Sequence, residues 1–158
     1  MAAIKRLQKE LKSLSEYSEF SCYPDGDNFL EWNVILYGPI DTPYEYGLFK
    51  AKMKFTMSYP NKAPEFQFTS KITHPNIYKD GKVCISILHE GVDQFGYESI
   101  YERWNPQQGI SSILLSILSI FGEPNFESPA NVDASVLWKS DFNKMKSIIY
   151  KEVAESQK

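Results

Sequence analysis

The feature that most restricts the fold of this chain is an alternation of apolar and basic side chains within residues 48–57. The two sets occupy alternate positions, with Phe49, Ala51, Met53 and Phe55 in one and Lys50, Lys52 and Lys54 in the other. A period of two places these sets on opposite faces of an extended segment, whereas a helix would mix them. The segment therefore predicts a strand of an antiparallel sheet with one buried face and one solvated face.

Other strand-like segments lie on both sides of this one, between residues 20 and 70. Residues 29–37 are rich in aromatic and β-branched side chains, and residues 65–69 show another short alternation. Clusters of Pro, Gly and Asp at residues 24–28 and 38–43 are typical of turns. Because consecutive strands joined by short turns pair with each other, this region predicts a four-stranded antiparallel meander.

Helical patterns flank the predicted sheet. Apolar residues three or four positions apart predict an amphipathic helix over residues 2–16. A broader apolar face that ends at Gly122 predicts a central helix packed on the sheet. Asn105 is the expected N-cap of this central helix, and Pro106 is its expected first residue.

Two further helices are predicted near the C-terminus. The first is capped by Asn131 or Ser128 and ends at Trp138, and Asp141 caps the second. The expected inward face of the last helix comprises Phe142, Met145, Ile148, Ile149 and Val153. Residues 151–158 are expected to form a frayed polar tail. The predicted fold class is α+β, with an N-terminal helix, the meander, a central helix and two C-terminal helices.

Three side chains with catalytic potential come from one short segment, residues 74–84. His74 and Asn76 open it at a proline-containing turn, and Cys84 closes it after a tight turn at Asp80-Gly81. A thiolate is a nucleophile, and an amide N–H stabilises an oxyanion. The alternatives are structural, because a lone cysteine is usually a small buried residue and polar residues beside such a turn usually fix the turn.

Three motifs follow one another along the chain. Residues 59–64 read Tyr-Pro-Asn-Lys-Ala-Pro, His74-Pro75-Asn76 is followed by Gly81 and Cys84, and Trp104-Asn105-Pro106 comes last. Their order resembles that of the ubiquitin-conjugating enzymes over nearly the whole chain, and the resemblance implies the ubiquitin-conjugating fold. It also implies that Cys84 accepts ubiquitin as a thioester from the activating enzyme. A ligase of the RING type would then help to pass ubiquitin to lysines of substrates or of other ubiquitins.

The resemblance implies roles for individual residues. Asn76 is expected to donate to the oxyanion or, as an equal alternative, to hold the neighbouring loop. His74 is expected to fix the turn, whereas Ser128 and Asp93 are expected to position or desolvate the incoming lysine. Because a thioester is already activated, the site needs no base of the Ser-His-Asp kind. No metal or cofactor is expected, since ATP is consumed by the activating enzyme.

Partner-binding residues are expected at three places. The candidates are Lys5, Arg6 and Lys9 on the first helix, Asn61 and Lys62 in the 59–64 loop, and Asn105 and Pro106. For the helix, a solvated basic face is the alternative. In the resembled family the 59–64 loop ends in a double proline and carries a bulky apolar tip. Here Ala63 replaces the first proline and Asn61 replaces the apolar tip, which predicts a changed ligase contact.

Residues 90–103 form a long segment without clear periodicity between Cys84 and Trp104. The segment carries a net charge of −3, which equals the net charge of the whole chain. It is either a solvated surface loop or a lid beside Cys84. An acidic insertion at this position resembles that of the G-type conjugating enzymes, which build degradation-type chains. The insertion is about one residue shorter than is usual in that class.

Bulk properties restrict the remaining possibilities. A length of 158 residues with 42% hydrophobic residues suits a single domain spanning residues 1–158. A net charge of −3 does not suit a nucleic-acid partner, and two cysteines do not make a disulfide framework. No apolar run approaches the roughly 20 residues that span a bilayer. We expect a cytoplasmic protein that a partner recruits to the cytosolic face of the endoplasmic reticulum, without direct membrane insertion.

Three other functions stay open on the sequence alone. One is conjugation of another ubiquitin-like modifier, and another is a non-catalytic ubiquitin-binding module of the same fold, which would lack Cys84. The third is a cysteine hydrolase, which needs a histidine within hydrogen-bonding reach of Cys84. His89 follows Cys84 by five residues in a strand-like run, and this odd spacing predicts that it lies on the opposite face.

Overall fold

The elements of the fold follow the predicted order. The structure, a computed structural model, describes residues 2–91, 93–96, 98–99 and 101–158. The elements are helix α1 (Ala2–Leu14), strands β1 (Phe20–Asp25), β2 (Asn28–Tyr37), β3 (Leu48–Lys54) and β4 (Glu65–Phe68), a 3₁₀ turn (Ser86–Leu88), and helices α2 (Ile110–Ile120), α3 (Val132–Ser140) and α4 (Phe142–Ser156). The predicted α+β fold, with its antiparallel sheet between an N-terminal helix and three later helices, is confirmed.

The sheet is a meander in which each strand pairs with the next in the order β1-β2-β3-β4. Phe49, Ala51 and Met53 of β3 are buried, and Trp32 of β2 lies opposite Met53. After α2, the Phe121 ring contacts the rings of Phe49 and Phe68 at centroid distances of 5.9 and 6.3 Å. The alternation seen in the sequence is therefore the boundary between the core and solvent.

The start of helix α2 differs from the prediction. Asn105 does form a local cap, because its side-chain oxygen accepts the Gln107 N–H at 2.9 Å. This bond closes a turn and does not begin the helix, which starts at Ile110 with Gly109 as its N-cap. The prediction that Pro106 is the first helical residue is therefore wrong.

A glutamate of α1 determines where α2 begins. Glu10 Oε1 accepts the Ile110 N–H at 2.8 Å across 100 residues of sequence, and the same carboxylate binds Arg6 and the Tyr59 hydroxyl. A Cβ on Gly109 would lie 2.3 Å from Glu10 Oε1, so the glycine leaves room for this contact. The negative charge of this carboxylate also interacts favourably with the positive end of the α2 helix dipole.

The caps of the last two helices were predicted from their residue types. Asn131 caps α3 by accepting the Ala134 N–H at 3.1 Å, which decides between the two candidate caps. Asp141 caps α4 by accepting the Lys144 N–H at 3.2 Å. Helix α3 extends to Ser140, two residues beyond its predicted end.

Helix α4 differs from the prediction at both ends. The frayed tail is wrong, because the helix continues to Ser156, whose hydroxyl accepts the Leu48 N–H at 3.0 Å. Gln157 donates to the loop before β3 at 2.8 Å, so tertiary contacts hold the last turn. Phe142 does not face inwards but is 38% exposed, because it packs against the Trp138 ring at the surface.

Removal of the Glu10 carboxylate should destabilise the fold. Glu10→Ala leaves the Ile110 N–H without its acceptor, and we expect a loss of about 2 kcal/mol in the free energy of unfolding. Lys9→Ala, which removes an exposed neighbour on the same helix, should change that free energy by less than about 0.5 kcal/mol. Urea unfolding measures both variants, and equal losses would contradict the capping role.

Candidate active site

Two turns fold residues 74–84 back so that Cys84 lies beside Asn76. The Cys84 N–H bonds to the Asn76 carbonyl at 2.9 Å. Gly81 closes the second turn with a φ of +96°, and a Cβ there would lie 2.2 Å from the Phe68 carbonyl oxygen. Because only glycine fits this position, the predicted tight turn also fixes the segment against the sheet.

The two cysteines have different surroundings. Burial, with a smaller contribution from the Glu10 charge, raises the pKa of the Cys22 thiol from 9.0 to about 12. The thiolate is the nucleophilic form, so Cys22 is unsuited to nucleophilic chemistry near neutral pH. Both cysteines are partly exposed, but Cys22 packs against the hydrophobic core. Cys84 ends the turn segment and is the candidate nucleophile.

Tyr78 lies beside the candidate nucleophile, and sequence reasoning missed it. The negative charge of the Cys84 thiolate is the largest cause that raises the pKa of Tyr78, followed by partial burial of the phenol. The ring is 46% exposed, although its neighbour Ile77 is fully buried. The signal in the sequence was an aromatic residue forced outwards at the start of a polar turn.

Asn76 is 1% exposed and pairs with the backbone of Asn125. Its Nδ2 donates to the Asn125 carbonyl at 2.7 Å, and its Oδ1 accepts the Asn125 N–H at 2.8 Å. The loop-holding role expected of Asn76 therefore has a direct geometric basis. Because a carboxamide nitrogen carries two hydrogens, one N–H is left after this pairing. Sequence reasoning missed Asn125, which acts through its backbone and so gives no side-chain signal.

His74 is fully buried and uses both ring nitrogens. Nδ1 accepts the Asn76 N–H at 2.9 Å, so Nε2 carries the proton and donates to the Ile120 carbonyl at 2.6 Å. Burial lowers the pKa of His74 from 6.5 to about 4, although the Ile120 bond opposes this shift. This geometry is that of a residue that fixes the turn in its neutral form.

The loop that contains Ser128 forms one wall beside the turn segment. The Ala130 and Asn131 N–H groups both bond to the Pro75 carbonyl, at 2.8 and 3.0 Å. Ser128 itself is exposed on this loop. The Asn76–Asn125 pairing attaches the same loop at a second point, so Ser128 is held near the segment that ends at Cys84.

The acidic segment follows Cys84, and its residues 92, 97 and 100 lie outside the described residues. Asp93, an expected lysine-positioning residue, accepts the Phe95 and Glu98 N–H groups at 3.0 and 2.8 Å. Its carboxylate therefore has a role in the local fold of the segment. Glu98 in turn binds Arg103 at 2.6 Å.

The strand predicted after Cys84 is wrong, because residues Ser86–Leu88 form a 3₁₀ turn. The argument that His89 lies on the opposite face of a strand therefore does not apply. His89 Nδ1 lies 2.9 and 3.0 Å from the two Glu98 carboxylate oxygens, so the ring is engaged with the acidic segment. Among the described residues, no hydrogen bond joins a histidine ring to Cys84, as a cysteine hydrolase would require.

The expected partner-binding residues are mostly accessible. Those exposed are Lys5, Lys9, Asn61, Lys62 and Pro106, and Asn105 is partly exposed. Arg6 differs, because its guanidinium donates to the Pro106 and Gln108 carbonyls at 3.0 and 2.8 Å. Arg6 therefore holds the turn before α2 in addition to any docking role.

The described part of the chain offers neither a candidate metal site nor a helix able to span a membrane. No group of three or more His, Cys, Asp or Glu side chains there could hold a metal ion. None of the helices in that part combines the length and apolarity needed to cross a bilayer.

Comparison with known proteins identifies the family. The family described as ubiquitin-conjugating enzyme matches residues 6–153 of this chain. The chain belongs to the ubiquitin-conjugating enzymes. Ubiquitin-conjugating enzyme E2 G2 of Homo sapiens is 47% identical over 88% of this enzyme and 87% of its own length. The corresponding values are 48%, 96% and 93% for E2 13 of Arabidopsis thaliana, and 46%, 88% and 86% for E2-18 kDa of Schizosaccharomyces pombe.

The family assignment fixes the general activity. This ubiquitin-conjugating enzyme is a transferase that acts through a cysteine thioester. Its general partners are ubiquitin, an activating enzyme and a ligase. The similarity to E2 G2 confirms the predicted G type.

The depressed pKa of His74 predicts acid sensitivity. In the unfolded chain the His74 ring has its ordinary pKa of 6.5. Between pH 6.5 and about pH 4 the unfolded chain therefore binds a proton that the folded chain does not bind. The free energy of unfolding should therefore be highest above pH 6.5 and fall by about 3 kcal/mol towards pH 4. Urea unfolding at several pH values should show a shallower fall for His74→Asn.

An NMR titration of the folded enzyme gives an independent check. The His74 ring should remain neutral down to about pH 4. Titration of this ring near its ordinary pKa would contradict the explanation.

Proposed function

We propose that this enzyme carries ubiquitin on Cys84. The observation that supports this most directly is that Cys84 lies at the end of the turn segment beside Asn76. Cys22 instead packs against the hydrophobic core, and burial raises the pKa of its thiol to about 12. The Cys84 thiolate attacks the thioester carbonyl that joins ubiquitin to the activating enzyme. The carbon–sulfur bond to the activating enzyme breaks, and its cysteine leaves as a thiolate. One thioester replaces another, so the step needs neither a metal nor a cofactor at this site.

In the second step, a neutral lysine amine attacks the Cys84 thioester. The tetrahedral intermediate collapses to an isopeptide bond and expels the Cys84 thiolate, and the amine proton passes to solvent or to a nearby base. The remaining Nδ2 hydrogen of Asn76 is the proposed oxyanion donor. The backbone bond between Cys84 and Asn76, 2.9 Å long, keeps these two residues adjacent.

The acceptor lysine is proposed to approach between the two walls of the site. Tyr78 borders the thiol directly, and Ser128 lies exposed on the loop tied to Asn76. The acidic segment, residues 90–103, carries a net charge of −3 and attracts basic acceptors. Neither Tyr78 nor Ser128 is a strong base near neutral pH, so we do not assign them proton abstraction. Their proposed role is to position the lysine and to displace water.

The wider role is proposed from the resemblance and from the relatives. An acidic segment after Cys84, together with 47% identity to E2 G2, supports the building of degradation-type chains with a ligase of the RING type. We propose a cytoplasmic enzyme that a partner recruits to the endoplasmic reticulum. Loading assays with ubiquitin and with other ubiquitin-like modifiers separate the proposed modifier from its alternatives.

Substitution of the two cysteines tests the carrier residue. With activating enzyme, ATP and ubiquitin, the unmodified enzyme should form an adduct that reducing agent removes. Cys84→Ser should form a stable oxygen ester, whereas the matched control Cys22→Ser should keep the reducible adduct. Gel electrophoresis with and without reducing agent distinguishes the thioester from the oxygen ester. A reducible adduct on Cys84→Ser would refute the assignment.

Substitution of Asn76 tests the oxyanion donor. Asn76→Asp removes the N–H donors at nearly constant size, and we expect transfer from Cys84 to free lysine to slow by about 10²–10³-fold. Loading of ubiquitin and the mid-point of thermal unfolding are measured alongside, because loss of the Asn125 contact also loosens the loop. Glu127→Ala, at an exposed position of the same loop, leaves that contact in place and is the control. If transfer slows only in proportion to unfolded protein, Asn76 acts on the fold alone.

A further inference from the structure

The 59–64 loop offers one backbone N–H to its surroundings. The prolines at positions 60 and 64 have no N–H. The Asn61 and Lys62 N–H groups bond within the loop to the Ser58 carbonyl, at 2.8 and 3.2 Å. Within residues 60–64, all of which the structure describes, only the Ala63 N–H is directed to another segment.

Glu90, at the start of the acidic segment, accepts this N–H. Its Oε1 lies 2.9 Å from the Ala63 nitrogen across 27 residues of sequence. A proline at position 63, as in the resembled family pattern, would have no proton to donate. The Glu90–Ala63 bond therefore depends on the departure from the double proline.

Arg103, whose side chain is 12% exposed, joins Glu90, Gly91 and Glu98 through hydrogen bonds. We call these four residues the base of the acidic segment. The Arg103 guanidinium donates to the Glu90 and Gly91 carbonyls, both at 2.8 Å, and to the Glu98 carboxylate at 2.6 Å. A planar guanidinium that makes three such bonds allows little independent movement of its acceptors. Glu90 therefore moves together with the rest of this base.

Trp104, which follows Arg103, is bonded both to the chain just after the nucleophile and to the 59–64 loop. The Trp104 N–H bonds to the His89 carbonyl at 2.8 Å, and His89 lies five residues after Cys84. The Trp104 indole N–H bonds to the Pro60 carbonyl at 2.8 Å, which gives the loop a second attachment. The exposed Asn61 and Lys62 lie between these two attachments, with Pro60 directly before them and Ala63 directly after them.

We propose that Glu90 is a positioning residue for the transfer step. Through the Ala63 N–H it holds the acidic segment against the 59–64 loop, and so couples a partner bound on that loop to the groove at Cys84. This inference rests on the proposed function of Cys84. In the proposed function the acidic segment attracts the basic acceptor, so loss of the bond raises the acceptor KM and leaves ubiquitin loading unchanged.

The test compares variants that remove the bond with variants that keep it. Glu90→Ala removes the acceptor and Ala63→Pro removes the donor, whereas Glu90→Gln keeps an acceptor oxygen and Ala63→Ser keeps the N–H. Each full-length variant is loaded with ubiquitin, and its discharge to titrated acceptor ubiquitin is measured in single turnovers. We expect the first two variants to raise the acceptor KM about three- to tenfold and the other two to match the unmodified enzyme.

The double variant decides whether the two residues act through one bond. Glu90→Ala combined with Ala63→Pro should be no worse than either single variant. Multiplied effects in the double variant, or a Glu90→Gln effect as large as that of Glu90→Ala, would overturn the proposal. An unchanged KM in all variants would overturn it as well. Failure of loading itself would instead refute the role of Cys84.

Hydrogen exchange provides a readout independent of activity. The Ala63 amide should exchange faster in Glu90→Ala than in Glu90→Gln, while the Trp104 amide stays protected. Equal exchange of the Ala63 amide in the two variants would also overturn the proposal.

Discussion

The geometry of the groove beside Cys84 depends on the contact between the Asn76 carboxamide and the Asn125 backbone. The carboxamide is almost fully buried and makes a reciprocal pair of hydrogen bonds with the backbone of Asn125, 49 residues away. A buried amide that lost these partners would carry a large desolvation penalty, so few other positions of the 122–131 loop are available. The neutral ring of His74 supports the arrangement from beneath by accepting the Asn76 N–H.

The groove is built from loops that are held by side chains. Around the segment that ends at Cys84, several joining bonds run between side chain and backbone, as between Glu90 and Ala63 or between Trp104 and Pro60. Backbone bonds from Ala130 and Asn131 to the Pro75 carbonyl add to them. Loops fixed in this way keep a defined shape and leave much of their outer surface free for partners. One such bond, from the Trp104 indole N–H to the Pro60 carbonyl, joins the first and the third of the motifs that are separated in the sequence.

Much of the fold could be predicted because its signals are local. The alternation in β3 and the capping residues Asn131 and Asp141 act within a few positions, and the structure bears them out. The start of α2 could not be predicted in this way. Asn105 carries the right local signal, but the helix begins at Ile110, whose N–H is accepted by Glu10, 100 residues before it. Tertiary contacts also override the polar composition of the last turn of α4.

The candidate site shows the same division. The motif from His74 to Cys84 indicates its chemistry from residue types and spacing, yet the partner of Asn76 is a backbone group that no residue type reveals. His89 was assigned to a strand because its neighbours are apolar, whereas the chain turns there and brings the ring to Glu98. The residues proposed to carry the chemistry could therefore be named from their types and spacing, whereas the groups that hold them in place could not.

The burial of Cys22 makes the enzyme convenient for selective labelling. A thiol with a pKa of about 12 is ionised in only about one molecule in 10⁵ at pH 7. Alkylating reagents that require the thiolate will therefore leave β1 unmodified under mild conditions. A fluorophore or a ubiquitin-based probe could be attached to Cys84 without mutating the second cysteine, and its signal would report directly on events in the groove.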